Sequence, residues 1–123
     1  MDNKGADNAT IVLEENLKKA LTELLILHLL SEKEYYIGEL TATLKDKSRG
    51  ALSIVFPYGA IYRLLQSGYI IESGKYIAPD GRRRQFHRIT DTGKIYLSQL
   101  KQVYTNFFRG VDAVLGDGGE KHD

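Results

Sequence analysis

The segment from Tyr76 to Gly93 leaves the chain few ways to fold. Tyr76 and Ile77 end one extended run, and Ala78, Pro79, Asp80 and Gly81 reverse it. Proline presets φ, and Asp followed by Gly tolerates the positive φ that a tight turn needs. A second strand runs from Arg82 to Ile89; it is β-compatible in its latter half, Phe86 to Thr90, and it opens with three arginines. Consecutive strand residues alternate between faces, so the hairpin carries guanidinium groups on at least one side. Asp80 is the only acid nearby, and the reading is that no local acid neutralises them. Thr90 or Asp91 then caps a helix, because either side chain accepts from the orphan N–H groups at its start.

Each of these residues also has an ordinary role. An arginine run alone fits a solvated face. His87 reads as a packing or groove-edge residue; no His or Cys lies at ligand spacing from it, so no metal is expected. Gly93 reads as a first-turn residue.

At 123 residues the chain suits one domain with tails. The absence of cysteine excludes disulfides, thiol catalysis and Cys-based zinc sites. No apolar run approaches the roughly 20 residues that span a bilayer, and Met1 to Asn8 is too polar for a signal peptide. A cytoplasmic protein without membrane contact is expected. Net charge is only +1, but it is segregated: Met1 to Lys47 holds six basic and nine acidic residues, Ser48 to Lys94 eight basic and three acidic.

From Thr10 the positions Leu13, Leu17, Ala20, Leu21, Leu24, Leu25 and His28 follow helical spacing, and Leu24 to Leu30 is apolar nearly all round. This first helix should be deeply buried at its end, with His28 in the core. Ile11, Val12 and Leu13 are more apolar than a terminus requires and are candidates to meet a partner chain. After a polar break at Ser31 to Glu34, Tyr36 to Leu44 resumes helical spacing through Ile37, Leu40 and Leu44. A charged loop, Lys45 to Gly50, leads to a third helix with two readings. Ser53 is its N-cap with Pro57 at the edge of the first turn, or the helix starts only at Pro57. From Tyr58 to Gln66 it buries Ile61, Leu64 and Leu65 and turns Gly59, Tyr62, Arg63 and Gln66 to other faces, and Gly68 stops it. Tyr69 to Ile77 is the first hairpin strand.

The last helix, Thr92 to about Leu115, carries Leu97, Leu100, Tyr104, Phe107, Val111 and Val114 at alternating spacings of three and four, a heptad seam. It is about 35 Å long at 1.5 Å per residue, more than so small a domain needs to cover itself. Val103, Phe108 and Leu115 widen the apolar face, so the helix reads as a dimerisation element. The expected architecture is mainly α with a small β-hairpin: a flexible tail over 1–9, a winged helix-turn-helix domain over 10–90, a C-terminal dimerisation helix over 91–115 and a flexible tail over 116–123.

The run Gly81-Arg82-Arg83-Arg84-Gln85-Phe86-His87-Arg88-Ile89-Thr90-Asp91-Thr92-Gly93 resembles the wing and following helix start of PadR-like transcriptional regulators. Tyr58-Gly59-Ala60-Ile61-Tyr62-Arg63-Leu64-Leu65-Gln66-Ser67-Gly68-Tyr69-Ile70 aligns without a gap to that family's recognition helix. With Leu24 to Leu30 the likeness covers roughly Leu21 to Leu100. The chain departs from the family at Ile37-Gly38, where a Gly-Tyr pair is usual, and at Ile54-Val55-Phe56-Pro57, where Pro-Gly-Thr-Leu is usual. The groove-facing end is thus altered and the target sequence does not carry over. His87 stands where a tyrosine is common. Some members bind phenolic acids or flat aromatic drugs near the dimer interface, some through tryptophan, which this chain lacks.

The resemblance implies a homodimeric repressor of transcription that binds double-stranded DNA, and the residues supply the parts. Ser53, Phe56, Tyr58, Tyr62 and Arg63 would present the recognition surface to the major groove. Lys75, Arg82, Arg83, Arg84 and Arg88 would meet phosphates, with a wing arginine entering the minor groove. Ile11, Leu13, Leu97, Leu100, Tyr104, Phe107, Phe108, Val111 and Val114 would form the dimer contact. Half-sites would lie about one helical turn, roughly 34 Å, apart. The alternative is a winged-helix protein-interaction module that never touches DNA, against which the arginine cluster weighs. No glycine-rich phosphate loop, metal-spaced ligand set or nucleophile elbow points to an enzyme, and no cofactor is implied. For a small aromatic effector, Tyr104, Phe107 and Phe108 between subunits are one candidate lining, although aromatics at this spacing are more often core.

Overall fold

The computed structural model describes residues 4–53 and 57–116, with side chains from Ala9 onward. Its elements in chain order are α1 (Lys4–Leu30), β1 (Tyr35–Tyr36), α2 (Ile37–Lys47), α3 (Tyr58–Gln66), β2 (Ile70–Ile77), β3 (Arg83–Ile89) and α4 (Asp91–Leu115). This is a mainly helical winged helix-turn-helix fold. The core gathers on the C-terminal part of α1, where Ile26 and Leu27 are fully buried. Leu40 and Leu44 of α2, Ala60, Ile61 and Leu64 of α3, Ile70 and Ile89 of the sheet, and Leu97 of α4 close around it.

α1 starts at Lys4 rather than Thr10 and so extends into the stretch expected as a tail. His28, expected in the core, is half-exposed and lies 3.5 Å from Glu32 of the next turn. The apolar run is wider than the face that packs, and His28 falls on its solvent margin.

Two features of the sheet carried no periodic signal. β1 is only Tyr35–Tyr36, too short to show alternation, and it pairs with His87 and Phe86 so that the strand order is β1-β3-β2, all antiparallel. In β2 the register slips between Glu72, opposite His87, and Gly74, opposite Phe86, leaving Ser73 as the extra residue of a bulge. Gly74 sits there at φ 149°, and a Cβ on it would lie 2.6 Å from the Tyr76 hydroxyl. The hairpin turn forms as expected: Ala78 N–H donates to Arg82 C=O at 2.8 Å and Gly81 N–H to Ala78 C=O at 2.8 Å.

α3 begins after Pro57, which is its N-cap. The Pro57 carbonyl accepts from Ile61 N–H at 3.0 Å, so the proline's missing N–H costs the helix nothing. Ser53 is exposed and lies outside any helix. α3 ends in a Schellman arrangement, with Gly68 N–H donating to Leu65 C=O (3.1 Å) and Tyr69 N–H to Leu64 C=O (3.0 Å). Thr90, rather than Asp91, caps α4; its hydroxyl accepts from Gly93 N–H.

α4 does two things along its length. Gly93 and Leu97 are buried in the same core as the helices before them, so packing continues across the boundary expected at residue 90. Beyond Lys101 the helix leaves that core, and Val103, Tyr104, Phe107, Val114 and Leu115 are exposed.

Candidate nucleic-acid interface

Burial of Ala60, Ile61 and Leu64 fixes the rotation of α3 and so decides which residues point outward. Tyr58 and Tyr62, one helical turn apart, are 59% and 63% exposed. Arg63 shares the exposed side, but its Nε donates to Glu23 Oε2 of α1 at 2.6 Å. That pairing ties α3 to α1 and makes Arg63 a less available groove contact than its sequence position implied. Phe56 lies outside the described residues.

The hairpin arginines divide into two kinds. Arg82, Arg83 and Arg88 are exposed, as is Lys75. Among the described residues none of these four forms an ion pair with an acid. Arg84 differs: its Nη2 donates to Asp80 Oδ2 at 2.7 Å, and its guanidinium lies 5.4 Å from the centre of the Tyr36 ring. Asp80 does neutralise one arginine, contrary to the expectation from sequence. The turn brings the two together, and Asp80 Oδ1 also accepts from Arg82 N–H at 3.0 Å. The bond from Arg84, then that from the Arg82 backbone, holds the Asp80 carboxyl below its usual range.

His87 is 3% exposed, on the sheet face turned toward the helices. Burial pushes its pKa down, and Glu72, opposite it in the register, only partly opposes that shift. The folded protein therefore binds a proton at His87 less readily than the unfolded chain does. Its stability is fully present above pH 6.5, the ordinary histidine value, and is lost as pH falls below it. Urea midpoints measured from pH 8 to pH 5 should fall more steeply for wild type than for His87→Phe; parallel curves would contradict this.

A junction behind α3 left no periodic signal in the sequence. Thr90 and Thr92 hydroxyls donate to Gly68 C=O at 2.7 and 3.2 Å, and Thr90 N–H donates to Tyr69 C=O at 3.0 Å. The Tyr69 ring stacks on Tyr96 with centroids 4.2 Å apart. The signal available was Gly93 itself: glycine in a helix is unfavourable unless something demands it. Here a Cβ on Gly93 would stand 2.0 Å from the Tyr69 carbonyl oxygen.

The dimer candidates also separate. Leu97 is 6% exposed, buried in the core, and Leu100 packs partly against that core. Ile11 and Leu13 on α1, with Tyr104, Phe107 and Val114 on α4, are exposed; Phe108 and Val111 are half-buried. Tyr104 and Phe107 each contact Phe108, at centroid distances of 4.9 and 5.4 Å. These rings line a groove of about 390 Å³ between α1 and α4.

No helix of the described residues is long and apolar enough to cross a membrane. A model of the transcriptional regulator PadR-like family matches residues 26–99. The fold is similar to that of a PadR-like transcriptional regulator from Bacillus cereus, at 25% identity and TM-score 0.69 over 82% of this chain and 97% of that one. It is also similar to a PadR-family regulator from Eggerthella lenta, at 22% identity and TM-score 0.74 over 95% and 97% of the two chains. An uncharacterised protein of Lysinibacillus sphaericus is 28% identical over 96 residues, 72% of this chain and 88% of its own length.

Proposed function

Because the chain belongs to the PadR-like family of transcriptional regulators, we propose that it binds double-stranded DNA as a homodimer and acts as a repressor. The observation that carries this reading is the pairing of exposed Tyr58 and Tyr62 on α3 with a hairpin whose Arg82, Arg83 and Arg88 have no acid partner among the described residues. In this reading α3 enters the major groove, its tyrosines meet base edges and sugars, and the wing arginines meet phosphates or the adjacent minor groove. Arg63 and Arg84 position the surface through Glu23 and Asp80. Fluorescence anisotropy of a labelled duplex at several salt concentrations tests it: binding that weakens steeply with salt is expected, and no binding at low salt by a folded dimer would overturn it.

Dimerisation is proposed through the exposed apolar faces of α1 and α4. Ile11 and Leu13 on α1, and Phe107 and Val114 on α4, are exposed large apolar residues, the kind of surface that marks interaction sites. Charge on the end of α4, Phe107→Glu with Val114→Glu, should turn a dimer into a monomer at micromolar concentration. Sedimentation equilibrium reads the change, and an unaltered mass would place the contact elsewhere.

A further inference from the structure

The outer face of the sheet carries a group of rings that the core does not use. Strand alternation puts Arg84, Phe86 and Arg88 on the face of β3 opposite to buried His87 and Ile89. The register sets Tyr36 of β1 beside Phe86 on one side, and Tyr76 of β2 beside Arg84 on the other. Ring centroids are 5.4 Å apart for Tyr36 and Phe86 and 5.3 Å apart for Phe86 and Tyr76. Tyr36 and Phe86 are half-buried, yet neither packs against the core cluster. We propose that this face is a stacking platform for the unpaired bases of single-stranded DNA.

The Tyr76 ring is held in place before anything binds. Gly74 leaves room for it to fold back over the strand, and its hydroxyl donates to Ser73 C=O at 3.0 Å while the residue stays 48% exposed. A ring fixed in this way loses little rotamer freedom when a base stacks on it. Arg84 is fixed as well, by Asp80 and by its position over Tyr36, and a guanidinium plane takes a stacked base as a ring does. The rim is cationic: Arg88 on this face and Arg82 at the hairpin tip are exposed and pair with no acid among the described residues. Rings for the bases and arginines for the backbone are the combination that holds a single strand without reading its sequence. The two ring-to-ring steps give room for about two bases. An apolar partner is disfavoured, because Arg82 and Arg88 would lose water with no acid to meet them. The choice of DNA over RNA rests on the proposed function, in which the same hairpin meets duplex phosphates.

The test is fluorescence anisotropy of a labelled oligothymidylate of about ten nucleotides, which cannot pair with itself, titrated with the full chain beside a random-sequence duplex. At roughly 0.1 M salt the single strand should bind with a dissociation constant below about 50 μM. Tyr76→Ile and Phe86→Ile keep an apolar strand residue but remove the ring; each should weaken strand binding about tenfold and leave duplex affinity unchanged. Tyr76→Phe keeps the ring and should stay within about threefold of wild type. Tyr76 is exposed, so Tyr76→Ile keeps the test decisive should Phe86→Ile fail to fold. No binding of the single strand, equal binding by wild type and Tyr76→Ile, or binding of oligouridylate RNA about tenfold tighter than of the DNA strand would each overturn the proposal. Strand binding by a chain that binds no duplex would support the platform and overturn the duplex reading, and the reverse result would do the opposite, so the two fail separately.

Discussion

Alanine at Arg82 and Arg83 together is expected to lower affinity for a random-sequence duplex about a thousandfold at roughly 0.1 M salt. Three wing arginines per protomer, Arg82, Arg83 and Arg88, are exposed and without an acid partner among the described residues. If each releases counterions from one phosphate, a dimer's log affinity falls with log salt at a slope near −5. Removing two per protomer leaves a slope near −2, and the lost electrostatic contribution at 0.1 M gives the thousandfold figure. Arg84→Ala should cost much less, since Asp80 holds that guanidinium. Asp80→Asn, which frees it, should raise affinity a few-fold. Anisotropy at four or five salt concentrations distinguishes these outcomes, and an unchanged slope in the double variant would remove the wing from the interface.

Gly93→Ala should destabilise the protein by about 3 kcal/mol or more, lowering the melting temperature by roughly 10–20 °C. The new methyl would fall 2.0 Å from the Tyr69 carbonyl oxygen and 2.9 Å from its carbonyl carbon. Neither can move without disturbing the Tyr69 C=O bond to Thr90 N–H and the α3 terminus it belongs to. Gly59→Ala is the matched contrast. Its Cβ would meet only Arg63 Nη1, at an ordinary 3.5 Å, so α3 should gain up to about 1 kcal/mol from better helix propensity. Thermal unfolding of the two variants should therefore move in opposite directions. A small loss in Gly93→Ala would mean that α4 can slide on Tyr69.

The helices and the hairpin were legible because each is specified locally, by apolar periodicity or by the Pro79-Asp80-Gly81 turn. The Asp80–Arg84 pair was also within reach, since the turn residues that were recognised bring position 80 against position 84. Other features depend on where distant segments meet. Arg63 looked free until α1 placed Glu23 beside it, and Glu72 faces His87 only because the Gly74 bulge sets the register. α4 shows a further limit. One heptad pattern runs from Leu97 to Val114, yet its start packs into its own domain and its end stands exposed, and spacing is identical for both.

The junction of Gly68 and Tyr69 with Thr90, Thr92 and Gly93 has a mechanical meaning. It clamps α3 to the root of α4, leaving a helical shaft of about 33 Å beyond it. In a dimer joined along that shaft, α4 works as a lever. A tilt of roughly 5° at the far end carries the clamped helix through about 3 Å, close to the 3.4 Å that separates successive bases along a strand. Under the proposed DNA-binding reading, anything that re-angles the pair of shafts would put both α3 helices out of step with their half-sites without touching a residue at the proposed DNA surface.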